Sequence, residues 1–115
     1  MNETGQGFQR DRWGVAHVRG SDLRDVYWGL GYVHARDRGL QMLFMRILGQ
    51  GRVSECLDAS DGSLAVDTFF RKMNWTAGMD VQAAGLTAEA LPLIDAYCDG
   101  ANAVFARSTP WELKL

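Results

Sequence analysis

From residue 22 to residue 48 the chain keeps a single helical period, and no other feature restricts its fold so strongly. Leu23, Val26, Tyr27, Leu30 and Val33 follow the i, i+3, i+4, i+7 spacing, and Leu40, Leu43, Phe44, Ile47 and Leu48 resume it. Ser21 is placed to cap the helix, Asp22 and Asp25 suit its positive end, and Gly49 or Gly51 can end it. Unbroken, such a helix is about 40 Å long at 1.5 Å per residue. It also contains Gly29, Gly31 and Gly39, each costing about 1 kcal/mol relative to alanine in a helix interior. Three such costs make sense if another element packs close against the helix. Within it, "GLGYVHARDRGLQM" (29–42) sets His34, Asp37 and Arg38 three and four residues apart, on one face. They are either a catalytic cluster or polar contacts that lock the helix in place.

The flanking segments predict a mostly helical α+β chain. Residues 8–20 read as a β-hairpin. Phe8, Arg10 and Arg12 alternate with Gln9 and Asp11, Trp13-Gly14 turns, and Val15, His17 and Arg19 oppose Ala16 and Val18. An isolated hairpin is marginal in water, so these strands are expected to add to a sheet completed elsewhere. Residues 21–107 form the helical region. After the long helix, shorter ones are expected over 51–57, 64–73 and 76–84, with "DASDGS" (58–63) as a turn-rich link. Thr87 is placed to cap the last helix, with Leu86 and Leu91 as a hydrophobic staple and Pro92 tightening or displacing its start. Ile94, Tyr97, Cys98, Ala101 and Phe105 are expected on its inner face.

Composition narrows the function. A net charge of −2 without a basic block gives nothing for nucleic acid to bind. Ten arginines to two lysines suit fixed, partly buried ion pairs. The chain has no run of 18 apolar residues, so no membrane span is expected, and in the polar opening "MNETGQGF" no signal peptide is visible. Cys56 and Cys98 lack zinc-ligand spacing and are expected as buried free thiols, or as one disulfide in an oxidising compartment. "GLGYVH" lacks the third glycine and the preceding strand of a dinucleotide loop. The aspartates of "DASDGSLAVD" do not place glycine and glutamate where a calcium loop needs them. His17 and His34 have no third ligand partner and read as structural histidines. Asp37 is expected to pair with Arg36, Arg38 or Arg10, fixing one packing arrangement. Glu55, after "GRVS", is a weaker candidate for a general base. Neither a Gly-x-Ser-x-Gly elbow nor a Cys/His pairing is present. The residues alone do not make a complete active site.

Five segments, in order, do resemble a known family. "RDRWGVAHV" (10–18), "GYVHARDRGLQM" (31–42), "GQGRVSE" (49–55), "VDTFFRKM" (66–73) and "AYCDGANA" (96–103) resemble the opening of the penicillin acylase (penicillin amidase) family of N-terminal-nucleophile hydrolases. Ala16 stands where that family usually has proline, Gly39 where a bulky residue follows Asp-Arg, and Cys98 where a small residue is common. The resemblance implies part of an αββα fold, with residues 1–115 as an incomplete N-terminal segment of an α subunit. It implies a precursor that cuts itself into α and β chains. The β chain's new N-terminal serine then attacks a linear amide, with its own α-amino group as base. Oxyanion donors come from the same β chain. The acyl-enzyme so formed is hydrolysed by water, and the substrate is an acylated β-lactam or an N-acyl homoserine lactone. The implied partners are that β chain and the small-molecule amide. The implied location is periplasmic or secreted. The family's α-chain pocket residues, and its calcium ligand where calcium is bound, lie beyond Leu115. No residue here is therefore assigned a catalytic, cofactor-binding or metal-binding role. Asp11, Gly14, His17, Gly31, Asp37, Arg38, Glu55, Asp67, Arg71, Gly100 and Asn102 carry over as fold-defining positions only. The rival readings are a non-catalytic helical interaction module and a truncated, inactive gene fragment.

Overall fold

The switch from a period of two to a helical one occurs where the spacing predicts. In the computed structural model, which describes residues 7–107, strands β1 (Gly7–Arg10) and β2 (Ala16–Arg19) are followed by five helices. These are α1 (Leu23–Gly49), α2 (Val53–Cys56), α3 (Asp61–Met73), α4 (Met79–Ala84) and α5 (Ala90–Phe105). They fall into two compact units, residues 7–38 with 86–107 and residues 39–85. The division coincides with a break in α1, where Arg38 leaves helical geometry (φ −136°, ψ 22°). The helix expected to be continuous over 22–48 is thus two helical stretches joined at one residue. Among the described residues no helix is long and apolar enough to cross a membrane.

In the first unit, the strands pair antiparallel with Phe8 opposite Val18 and Arg10 opposite Ala16. The predicted alternation shows in the burial of β2, where Ala16 and Val18 are half-buried and His17 and Arg19 exposed, whereas in β1 Gly7 and Phe8 are half-buried and Gln9 and Arg10 exposed. Phe8 meets Tyr32 of α1 at 6.1 Å between ring centroids, and Tyr32 stacks on Trp28 at 5.2 Å. Tyr32, Val33 and Ala35 of α1, with Ala96, Ala101 and Val104 of α5, are the buried apolar residues of this unit.

The close packing predicted from the α1 glycines is present. A Cβ at Gly29 would lie 2.5 Å from Cγ1 of Val18. One at Gly31 would lie 2.8 Å from the carbonyl carbon of Tyr97, and closer still to its oxygen. The contact is reciprocal, because a Cβ at Gly100 would meet the Trp28 carbonyl and come within 3.0 Å of the Tyr32 nitrogen. The two helices touch backbone to backbone, each through a glycine of the other.

That approach corrects part of the expected inner face of α5: Ala101 is buried and Tyr97 and Phe105 are half-buried as expected, but Ile94 and Cys98 are not. Ala96, Gly100 and Val104, four residues apart, are buried, whereas Ile94 is 43% exposed and Cys98 is exposed. Where the two backbones touch, at Gly100, only a side chain of minimal size fits, so the buried face turns toward Ala96 and Gly100. Cys98 is consequently not the buried thiol expected, and Cys56 is half-buried; both are free. The helix also starts later than its Thr87 cap predicts. Thr87 Oγ1 accepts from the Ala90 amide at 3.2 Å, but regular helix begins at Ala90 after Glu89, which makes no side-chain cap. Pro92 lies in the first turn, where a missing N–H leaves no intrahelical bond unmade. Leu86 and Leu91 remain 40% and 43% exposed.

In the second unit the short helices shift against expectation. The helix expected over 51–57 is the single turn Val53–Cys56, and that expected over 76–84 shortens to Met79–Ala84. Between α3 and α4 the chain turns through Asn74, which takes a left-handed conformation (φ 52°). The helix expected from 64 begins at Asp61, because Ser60 Oγ accepts the Ser63 amide and caps it. "DASDGS" is therefore half link and half first turn.

Candidate functional site

Asp11 organises the hairpin turn. Its Oδ1 accepts the amides of Trp13 (2.9 Å) and Val15 (3.0 Å), and its Oδ2 lies 3.1 Å from Nε2 of His17 on the returning strand. The His17 ring holds the Asp11 carboxyl below the usual aspartate range; the two amides assist and partial desolvation opposes. Gly14 completes the turn with φ 81°, a conformation that favours glycine. Arg10 then ties the turn to α1, donating from Nη1 to the Gly14 carbonyl (2.9 Å) and from Nη2 to Asp37 Oδ1 (2.6 Å). Of the three arginines predicted as partners of Asp37, the structure selects Arg10. Arg36 instead lies over the Phe8 and Tyr32 rings, 5.8 and 5.9 Å from their centroids.

The Arg10–Asp37 side chains remain 37% and 40% exposed, so solvent screens their attraction. A double-mutant cycle (Arg10→Met, Asp37→Asn) is expected to give a coupling of about 0.5 kcal/mol at low salt. That coupling should shrink as ionic strength rises. Thermal or urea melts of the four proteins measure it.

His34, Asp37 and Arg38 share a face in sequence but not a task in the structure. His34 Nδ1 lies 3.0 Å from the Tyr97 hydroxyl, with the rings edge to face at 5.7 Å. Asp37 turns to Arg10, and Arg38 is the break in α1. The structure does not assemble the three into a cluster.

The second unit contains a buried carboxylate. Asp67 on α3 is only 3% exposed. It accepts the amides of Val53 (2.7 Å) and Ser54 (2.8 Å), together with the Ser54 hydroxyl. It thereby caps α2 from a neighbouring helix, since Arg52 at the N-cap position offers no side-chain cap. Burial pushes the Asp67 carboxyl up. The Ser54 hydroxyl, the Ser54 and Val53 amides and nearby Arg71 outweigh that push and hold it below the usual range. One turn on, Arg71 Nε donates to the Gly51 carbonyl at 2.8 Å. Asp-x-x-x-Arg on α3 thus clasps both ends of the Gly51–Ser54 segment. Gly51 itself has φ 63°, and a Cβ there would meet the Arg71 side chain at 2.7 Å. Glu55, the weaker candidate base, forms a two-point pair with Arg52 (2.8 and 2.9 Å) on the surface, and that guanidinium lowers its pKa.

Sequence reasoning missed the partners Ser54 and Tyr97. Ser54 has a signal in hindsight: a helix start at Val53 without a capping side chain of its own requires an acceptor from elsewhere. Tyr97 has none, because its tie to His34 spans 63 residues. Among the described residues no group of three or more His, Cys, Asp or Glu could hold a metal ion. The residues singled out by motif spacing are joints: hairpin to helix, helix to helix, and α3 to α2.

Known proteins share this arrangement. The penicillin amidase family profile matches residues 8–115. The chain is 38% identical over 104 residues to penicillin acylase 2 proenzyme of Pseudomonas sp. (strain SE83), covering 89% of this chain and 13% of that protein. It is 31% identical over 99 residues to acyl-homoserine lactone acylase QuiP of Pseudomonas aeruginosa, covering 86% of this chain and 12% of that protein. The thermostable penicillin G acylase from Alcaligenes faecalis superposes with a TM-score of 0.78 at 29% identity, over 89% of this chain and 54% of that one. The chain therefore spans only 12–13% of the length of those two curated relatives. With its motif residues occupied as structural joints and these matches across nearly all its length, the chain belongs to the penicillin amidase family, whose N-terminal-nucleophile hydrolase fold its hairpin and helices share.

Proposed function

We propose that residues 1–115 are the N-terminal part of the α subunit of a self-cleaving precursor that hydrolyses a linear, non-peptide amide. The substrate is an acylated β-lactam or an N-acyl homoserine lactone. The nucleophile is the N-terminal serine of a β chain outside these residues, and the acyl-enzyme it forms is cleared by water. Within that enzyme this chain is a scaffold: its polar residues fix how hairpin and helices meet, and the chemistry lies elsewhere. One observation carries this reading. Proteins named as a penicillin acylase and as an acyl-homoserine lactone acylase each match most of the chain, 89% and 86% of it.

The test is to express the continuous reading frame and the 115-residue chain separately. Both are assayed on penicillin G and on N-acyl homoserine lactones of graded acyl length. The longer product is expected to split into two chains and to turn over one of these classes, and the 115-residue chain to show no turnover. Turnover by the short chain, abolished by His34→Ala or Asp37→Ala, would falsify the scaffold role.

A further inference from the structure

The helix α3 is amphipathic in the unexpected direction. Helices of globular proteins bury an apolar stripe and leave polar residues in water. In the 39–85 unit, α3 packs on α2 and its preceding loop through Asp67 and Arg71, spaced i, i+4. Those contacts fix the rotation of the helix about its axis. They leave Val66, Phe69 and Met73, spaced i, i+3, i+7, facing outward at 38%, 53% and 48% exposure. Trp75, 58% exposed, extends the stripe past the helix end. Its rings are already ordered, with Phe70 lying edge to face with Phe69 at 5.3 Å and with Trp75 at 5.4 Å. Large apolar side chains held in register and left in water mark a binding face, and pre-ordered aromatic anchors lose little entropy on being covered.

We infer that the Val66–Phe69–Met73–Trp75 stripe is a docking face for the remainder of the same precursor. The occupant follows from length: curated relatives have about seven-eighths of their chain beyond the part matched here. Polypeptide of that extent is tethered to this face, and tethering raises its effective concentration far above that of any free partner. The inference rests on the reading that this chain is a segment of a longer precursor.

Hydroxyl-radical footprinting with mass spectrometry tests it residue by residue, on the 115-residue chain and on the product of the continuous reading frame. Phe69, Met73 and Trp75 are expected to lose reactivity several-fold in the longer protein. A paired variant, Phe69→Ser with Met73→Ser, should leave the circular dichroism of the short chain unchanged but make the longer protein expanded or aggregated on size exclusion. Equal reactivity in both proteins overturns the docking face, as does a longer protein that tolerates the paired variant with native size. Protection in the short chain that grows with concentration, alongside a dimer in sedimentation, assigns the face to a second copy and also overturns it. A reading frame that stops at residue 115 overturns both this inference and the proposed function. A longer protein with an unprotected stripe overturns the docking face alone.

Discussion

Gly31→Ala is expected to destabilise the chain by about 3 kcal/mol or more, at the upper end of what overpacking costs. The sign is informative, because helix propensity argues the other way: alanine is better than glycine in a helix interior by about 1 kcal/mol. At Gly31 the new methyl would sit on the Tyr97 carbonyl, and neither helix backbone can yield without parting from the other. Gly100→Ala should behave alike, since its Cβ meets the Trp28 carbonyl. The two clashes relieve one another. Once either methyl has spread α1 from α5 the second finds room, so the double variant should lose less than the sum, by about 1 kcal/mol or more. Gly49→Ala is the control, because nothing lies within 4 Å of a Cβ there; it should be neutral or slightly stabilising. Urea melts of wild type and these four variants decide the matter, and additive losses at Gly31 and Gly100 would sink the reciprocal contact.

The glycines also show how far a sequence can be read. Three of them in an apolar helix announced a close neighbour, and periodicity alone located α1, because a helix that long repeats its pattern many times. Which helix would approach was not legible, since the answer lies in Tyr97 and Gly100, more than sixty residues away. The inner face of α5 is legible only in part for the same reason. A hydrophobicity pattern favours Ile94 and Cys98 along with Ala101, but the buried positions are Ala96, Gly100, Ala101 and Val104. Short elements fared worst. One turn of α2 has no period of its own, and its position is set by Asp67, fourteen residues from Val53. Sequence leaves Asp37 three candidate arginines, two of them its chain neighbours Arg36 and Arg38. Choosing Arg10 required knowing that β1 passes beside α1. Local pattern reveals which elements exist; the motif residues fix how they meet, and that information is pairwise and long-range.

Asp67→Asn is the second large effect expected, with a drop of about 10 °C or more in melting temperature, as for other broken buried polar networks. The carboxylate accepts three hydrogen bonds, from the Val53 amide, the Ser54 amide and the Ser54 hydroxyl. An asparagine keeps one acceptor and turns an NH2 donor toward groups that are themselves donors. Ser54→Ala removes only the hydroxyl and should cost much less. Hydrogen exchange localises the damage: the Val53 and Ser54 amides should lose protection in Asp67→Asn while those of β1 and β2 keep theirs. The pH dependence gives an independent check. The Asp67 carboxyl titrates below its ordinary value of about 3.9 in the folded chain, so the unfolded chain binds its proton first as pH falls. Its contribution is therefore full above about pH 5 and is lost as pH drops through the lowered folded value. Asp11, Glu55 and Asp58 are shifted in the same direction, so wild type and variant share their acid losses. Only the difference between the two curves reports Asp67. That difference should be largest at neutral pH and narrow steadily below pH 4; a gap that stays constant into acid would mean the carboxylate charge does not hold α2 in place.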